Sequence, residues 1–460
     1  MKVLWICNVA LPEIARKLNM EVSNKEGWLS GIAHALLEND KDHQVELMIA
    51  FPAPGELCDE SGICNAMVEI CNVPVQCFGF YEDVANAETY DRALEQEMKT
   101  IFALASPDIL HCFGTEYPHT LAACKVFPEK DKILVGLQGL CSLLAEAYFA
   151  NLPEKVIHSR TLRDILRKDT LLQQQEKFRK RGRNEQQIVG IAGNITGRTA
   201  WDRRESAKWN DRAKYFVLNE NLRGEFYGPV WDKENCIPHS IFLSQGDYPL
   251  KGLHYMLLAL PEILERYPDA VVYVAGNSLV AYDTWKEKLK ISAYGKYLRK
   301  LIKTYHLEEH LVFTGRLNAE EMRDRYLKSN LFVCCSSLEN SPNSLGEAML
   351  LGMPCVAAEV GGIPTLFTGG VDGISYKGYN SNSAVINNEC DSKITNDTEL
   401  QNIVKSLASA VVEMWSDESK MLEYCKNARN HALKTHNKEV NFAKMQEIYA
   451  KIQNGEDGDL

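Results

Sequence analysis

The sequence predicts an α/β protein of two domains. Three observations carry this. The chain has 460 residues, and domains of roughly 200 residues each are the natural prior at that length. Short apolar runs alternate with helical stretches through its first half, the order that builds a mostly parallel sheet. After a linker near Gly228-Pro229 to Pro238, a second series of strands and helices begins. The expected domains are 1–235 and 236–437.

In the first series, Met1 to Cys7 reads as a buried strand and Asn8 to Asn24 as a polar loop. Glu26-Gly27-Trp28-Leu29-Ser30-Gly31 leads into a helix ending near Leu37. Val45 to Phe51, Val75 to Phe80, Asp108 to Phe113, Ile133 to Leu137 and Ile188 to Ile195 read as strands, and Ala87 to Ala105 as a helix. The second series opens at Ile241 to Ser244. Its first helix, Leu253 to Tyr267, is stopped by Pro268. Val271 to Ala275, Val312-Phe313, Leu331 to Cys335 and Cys355 to Ala358 follow as strands, with helices at Lys420 to Thr435 and Val440 to Ile452. The acidic tail from Asn454 to Leu460 is expected to fray.

Composition excludes several classes. Hydrophobic residues make up 45% and charged residues 25%, so the chain is globular and not low-complexity. No stretch reaches the roughly 18 apolar residues of a membrane helix. Val3 to Cys7 is too short, with too little charge ahead of it, for a signal peptide. Fourteen scattered cysteines suit a reducing cytosol. The cluster Cys58, Cys64, Cys71 and Cys77 lacks the C-x2-C spacing of a zinc site, so no metal is predicted. Asn8-Val9-Ala10-Leu11-Pro12 after the first strand argues against a nicotinamide dehydrogenase, which would carry G-x-G-x-x-G there. Net charge is −11, yet Lys155 to Arg183 is locally about +7, leaving the remainder more acidic still. Leu162, Ile165, Leu166 and Leu172 within it fall at roughly helical spacing. The segment reads either as a solvated helix face or as a surface meeting an anionic membrane. The same apolar residues could face outward or pack on the first domain.

The chemistry concentrates in the run from Cys335 to Met349. Two glutamates, Glu339 and Glu347, bracket the polar loop Asn340-Ser341-Pro342-Asn343-Ser344 between a strand end and a helix start. Open α/β sheets bind ligands there, and a helix N-terminus offers free N–H groups to an anion. Ser344-Leu345-Gly346-Glu347 also has the form of a capping box, which would account for one serine and one glutamate without any ligand.

This run resembles the E-x7-E signature of the retaining glycosyltransferases of family 4. Tyr248-Pro249-Leu250-Lys251-Gly252-Leu253 resembles that family's phosphate-binding lysine segment. Val274-Ala275-Gly276-Asn277 and Val312-Phe313-Thr314-Gly315-Arg316-Leu317 resemble its two strand-end loops. The resemblance spans about residues 238–376 in the family's order. It implies the GT-B fold: two Rossmann-like α/β domains facing each other across a cleft, with the last helix, 438–453, packing back on the first domain. It implies a sugar-nucleotide donor on the second domain, an acceptor on the first, and no metal or other cofactor.

By the same resemblance, Glu347 accepts hydrogen bonds from the ribose hydroxyls, while Glu339 and the loop with Asn340, Ser341 and Asn343 meet the sugar. The N–H groups of Ser344, Leu345 and Gly346 meet the distal phosphate, and Lys251 neutralises the departing diphosphate. Gly27 lets the first domain's loop approach that diphosphate. The family's second glycine is replaced by Glu26. Its usual arginine, about five residues before the lysine, is missing from Ser244-Gln245-Gly246-Asp247, which makes Arg316 or Arg198 the substitute. Its usual histidine after Ile133 to Leu137 is replaced by Gln138, with His119 as the neighbouring candidate. Lys251, Glu339, Gln138 and His119 are thus the catalytic candidates. The implied acceptor is a glycan or lipid-linked glycan at the cytoplasmic membrane face, as in capsule or exopolysaccharide assembly, and no nucleic-acid partner is expected. An epimerase of the same fold and a non-catalytic sugar-nucleotide- or glycan-binding subunit are the alternatives.

Overall fold

The computed structural model describes residues 1–22, 27–40, 44–280, 284, 289–379 and 389–459, with only the backbone for 389–396. Glu26 lies outside the described residues. Two compact units share the chain: residues 1–142, 178–223 and 436–460 form the first, and residues 143–177 and 224–435 the second. The division therefore falls about a dozen residues earlier than the expected 235/236, and the stretch 143–177 goes with the second unit.

The reason for that stretch is polar as much as apolar. Ala150 and Asn151 both adopt positive φ. This turns the Ala150 carbonyl onto His254 Nε2 (2.6 Å) and the Asn151 side chain onto the Tyr255 hydroxyl (2.8 Å). All four residues are buried, and buried polar groups need such partners. They tie the stretch to the helix Leu253–Arg266.

The first unit is an eight-stranded sheet. Its strands are β1 (Lys2–Ile6), β2 (Glu46–Ala53), β3 (Ile63–Ile70), β4 (Val73–Tyr81), β5 (Ile109–Phe113), β6 (Ile133–Gly136), β7 (Asn194–Gly197) and β8 (Lys214–Val217). They lie in the order β3-β4-β2-β1-β5-β6-β7-β8. All pairs are parallel except β3 with β4. That hairpin turns at Cys71-Asn72, both at positive φ, the backbone a two-residue hairpin loop demands. The expected strand Ile188 to Ile195 is instead the end of the helix Leu171–Ile191 followed by β7. The helix Lys438–Asn454 packs Met445, Ile448, Tyr449 and Ile452 into this unit's core. Its Tyr449 hydroxyl meets both Trp5 Nε1 (2.8 Å) and His111 Nδ1 (2.7 Å). As far as Asp459 the tail is held in place rather than frayed. Asp459 N–H donates to the Tyr215 carbonyl (2.8 Å), and its carboxylate takes the Val217 N–H (2.9 Å) and Lys444 (3.0 Å).

The second unit is a six-stranded, fully parallel sheet of β9 (Ile237–Leu243), β10 (Val271–Ala275), β11 (Leu311–Gly315), β12 (Ser329–Cys334), β13 (Cys355–Ala358) and β14 (Ile374–Tyr376). The order is β11-β10-β9-β12-β13-β14. β12 and β13 are buried throughout, as in a sheet covered on both faces. The chain order reverses between β9 and β12, which places the C-terminal ends of these two strands at a topological switch point.

Candidate functional site

The switch point of the second unit is where the predicted residues gather. β9 runs into the loop 244–248 and then into a single 3-10 turn, Pro249–Lys251, closed by Gly252 at φ 71°. A Cβ on Gly252 would overlap the Cys335 carbonyl. Only glycine combines that φ with that closeness. The loop after β12 is stitched to the same turn: Ser337 N–H donates to the Leu250 carbonyl (2.8 Å), and Cys335 Sγ lies 3.4 Å from the carbonyls of Lys251 and Gly252.

This stitching brings Lys251 to Glu339. Lys251 Nζ donates to Glu339 Oε1 at 2.6 Å, and Ser336 Oγ donates to the same oxygen at 2.8 Å. The two ion-pair side chains are 22% and 15% exposed. Burial alone would lower the Lys251 pKa. The Glu339 carboxylate, with the Tyr248 hydroxyl, overrides it and holds the ammonium well above the usual lysine value. The Tyr248 ring lies 5.8 Å from Nζ. Glu339 is fixed from its backbone side too. Its carbonyl accepts the Gly362 N–H (3.0 Å) and sits where a Cβ on Gly361 (φ 53°) would fall.

The helix Asn343–Leu351 begins two residues before the capping-box reading requires. Its N-cap is Pro342, with no side-chain cap. Ser344 is therefore the second helical residue and Glu347 the fifth, so the box does not form. Glu347 is buried (4%) in the second turn. The Leu345 and Gly346 N–H groups both donate to the Pro342 carbonyl, at 3.0 and 3.3 Å. Among the described residues, the Asn343 and Ser344 N–H groups have no backbone acceptor. The N–H groups left without a backbone acceptor thus sit one to two residues earlier than the expected 344–346. Leu345 turns its side chain into the core (1% exposed), whereas Ser341, Asn343 and Ser344 are half-buried and Asn340 is buried. The Ser344 carbonyl accepts from Tyr326 Oη (2.9 Å), which anchors the first turn.

Arg316 follows β11 and is exposed. Sequence reasoning missed its companion, Asp247. Burial pushes the Asp247 carboxyl up, while the Gly246 and Asn277 backbone and the charges of Arg316 and Lys251 pull it down. Gly276, at φ 99°, leaves the space that the Asp247 carboxylate occupies. A cluster of two cations and two carboxylates, Glu339 and Asp247, thus lies at one sheet edge. The signal for Asp247 was its place in the arginine-less segment, where an acid is the opposite of the residue sought. Ser336 carried no signal beyond lying three residues before Glu339.

The remaining candidates belong to the first unit. Gly27 opens the helix Gly27–Asn39, and a Cβ there would press on the Arg223 side chain. His119 is fully buried with both ring nitrogens occupied: Nδ1 meets Glu82 Oε2 (2.6 Å) and Nε2 meets Asn8 Oδ1 (3.1 Å). That geometry gives it the work of holding the Asn8 loop rather than reaching a ligand. Gln138 Oε1 accepts from Arg198 (3.3 Å). Arg198 also donates to the Leu137 carbonyl (3.1 Å) and pairs with Glu220 (2.5 Å), both ion-pair side chains being buried. So Arg198 is bound within its own unit, and Arg316 is the cation that shares a unit with Lys251.

Gln138, Arg198 and Glu220 line a small cavity with His111, Trp28 and Thr196, holding about 20 Å³, room for one water-sized group. Burial holds His111 down to about 3, so the ring is neutral. A second buried group lies nearby in sequence. Glu185 is pushed up to about 8 by burial, and accepts from Thr115 Oγ1 (2.7 Å) and more weakly from Ser142.

No helix among the described residues is long and apolar enough to cross a membrane. Residues 238–430 match the family model described as glycosyl transferases group 1. A Bacillus subtilis (strain 168) protein named as a glycosyltransferase, YtcC, is 29% identical over 185 residues; the match covers 40% of this chain and 38% of that relative's length. Among solved structures, sucrose-phosphate synthase from Thermosynechococcus elongatus superposes with a TM-score of 0.65 at 14% identity, over 99% of this chain and 100% of that one. The Anabaena protein Alr3699/HepE in complex with UDP-glucose gives 0.58 at 16% identity, over 98% and 100%. The fold is GT-B, with two parallel-sheet Rossmann-like domains, and the stretch similar to the glycosyl transferases group 1 model lies in the second of them.

Proposed function

We propose that the protein is a retaining glycosyltransferase. It moves a sugar from a nucleotide-sugar donor to a glycan or lipid-linked acceptor in cell-surface polysaccharide synthesis at the cytoplasmic membrane face. The observation that carries this reading is the Lys251–Glu339 pair beside the open N-terminus of the helix bearing Glu347. Each part suits one piece of a sugar nucleotide. Glu347, on the second turn, is an acceptor for the two ribose hydroxyls. The Asn343 and Ser344 N–H groups suit the distal phosphate.

Lys251 supplies positive charge where the diphosphate gathers it as the glycosidic bond breaks, and Arg316 adds to that field. Glu339 and the Asn340–Asn343 loop suit the sugar hydroxyls. No nucleophile from the protein is invoked: the acceptor hydroxyl attacks on the face the diphosphate leaves, and the diphosphate takes up its proton. The protein contributes position and charge. No metal ion is invoked.

Screening sugar nucleotides by thermal shift tests donor binding, since a ligand at 100 times its Kd stabilises by about 2.7 kcal/mol. NMR of an early product then tests retention. An inverted linkage overturns the mechanism, and a changed sugar still on its nucleotide favours an epimerase.

A further inference from the structure

We propose that the helix Leu162–Arg167 is a wedge that seats the second unit on an anionic lipid bilayer. This helix has six residues, too few to persist without anchors. Its anchors are on the inner side. Thr161 and Asp164 form a capping box. Asp164 is 1% exposed, accepts the Ala293 N–H (2.9 Å) and pairs with Arg163 (3.0 Å). With Asp164 held inward, the residues at 162, 165 and 166, spaced one turn apart, share the opposite face. Leu162, Ile165 and Leu166 are accordingly 53%, 57% and 74% exposed. Three large apolar side chains are presented to solvent by a helix whose one buried side chain is an acid.

Charge decides what covers them. Lys155, Arg160, Arg167 and Lys168, close to these residues in sequence, are exposed. Asp169, the nearest partly exposed acid, is paired with Arg163 (3.0 Å). Glu154, exposed beside Lys155, pairs with His158 (3.2 Å), and from Lys155 to Lys168 no exposed residue is acidic, although the whole chain carries −11. A basic rim around a few apolar residues is the pattern of shallow interfacial binding to anionic lipid. Three side chains are also too few for a stable protein interface, which buries about 1,200 Å² or more. Arg181, farther along the basic segment, is engaged elsewhere. Arg181 donates to the Glu116 carbonyl (2.8 Å) and lies 5.5 Å from both the Tyr117 and Phe178 rings within the first unit.

This inference deepens the proposed lipid-linked acceptor, and its test separates the two. The full-length protein is sedimented with vesicles of phosphatidylglycerol and phosphatidylcholine, and with phosphatidylcholine alone. The expected result is binding to the anionic vesicles only, weakening as salt rises. Replacing Leu162, Ile165 and Leu166 together by Ser lowers the partition coefficient by about tenfold or more. Arg160→Ser and Arg167→Ser each lower it by about fivefold at low salt. Melting temperature and nucleotide-sugar stabilisation stay as in the wild type. Leu166→Trp provides a direct readout, its added emission shifting to the blue on anionic vesicles.

Equal binding to neutral vesicles, wild-type binding by the triple Ser variant, or an unshifted Leu166→Trp emission overturns the proposal. So does a self-associating protein that the triple variant renders monomeric and that ignores vesicles, which assigns the face to a second copy. Vesicle binding without any sugar-nucleotide stabilisation leaves the wedge standing and removes the glycosyltransferase reading.

Discussion

Removing Lys251 tests the centre of the site without any substrate. Its ammonium lies 2.6 Å from Glu339 Oε1 and the two side chains are 22% and 15% exposed. Lys251→Ala leaves the Glu339 carboxylate with the Ser336 hydroxyl at 2.8 Å as its remaining hydrogen-bond donor among the described residues. Losing one partner of a fully buried pair costs about 3–5 kcal/mol. Solvent reaches a fifth of this pair, which screens part of the loss, so the expected destabilisation is about 2–3 kcal/mol. Most of that is the stranded carboxylate. Adding Glu339→Gln to Lys251→Ala should therefore restore stability to within about 1 kcal/mol of wild type, since an amide needs no counter-charge.

Urea unfolding of wild type, both single variants and the double variant at neutral pH and low salt gives the coupling directly. With a donor found by thermal shift, Lys251→Ala should also lower turnover more than ground-state binding, because leaving-group charge peaks in the transition state. A Lys251→Ala protein within about 0.5 kcal/mol of wild type, with no coupling to Glu339, would refute the reasoning. The pair would then be a surface contact with no hold on the site.

Three further outcomes are expected. Glu347→Gln should keep the helix, because no capping box exists to lose, yet weaken donor binding about 10- to 100-fold by calorimetry, the worth of hydrogen bonds to a charged acceptor; unchanged affinity would remove Glu347 from the donor site. Gly252→Ala should destabilise by about 2 kcal/mol or more, from left-handed backbone at φ 71° and a carbonyl in the way, and an unaltered melt would show that the turn relaxes freely. Glu185 has a folded-state pKa of about 8 against an ordinary 4.5. The folded protein therefore holds the extra proton between those values, and this contribution is complete below the lower one and lost as pH rises through the upper. Glu185→Gln should abolish a fall in stability approaching about 1.4 kcal/mol per pH unit in that window. Parallel pH dependences of the two proteins' urea midpoints would assign the proton elsewhere.

Much of the second unit was legible because its signals are local. The strand ending at Cys334, the Lys251-Gly252 pair and the two glutamates each announce themselves within a dozen residues. Their meeting does not. Lys251 and Glu339 are 88 positions apart, and what joins them is a Gly252 backbone packed on the Cys335 carbonyl. The capping box failed for a related reason. Pro342 takes the N-cap position and accepts the Leu345 and Gly346 N–H groups with its own carbonyl, so a motif correct in spacing was shifted in register. In the first unit, His119 and Arg198 were chosen for their residue type. Each is saturated by partners, Glu82 with Asn8 and Glu220 with Leu137, that no local pattern pairs with it.

The segment 155–183 shows the limit most sharply. Leu162, Ile165 and Leu166 at helical spacing read identically whether they form a core stripe or an exposed one, since periodicity gives a face and not its direction. The direction was set by a single acid. Asp164 shares the helix with three apolar residues, and elementary expectation puts the acid outside and the apolar face inside. Here the acid's carboxylate has three reasons to stay in: it accepts the Thr161 N–H and the Ala293 N–H, and it pairs with Arg163. A buried, fully partnered carboxylate can outweigh the exposure of a few apolar side chains in fixing such a short helix. An Asp in the first turn after a Thr, amid apolar residues at helical spacing, is therefore the sequence feature that leaves the direction open. Only the Ala293 contact, 129 residues away, closes it.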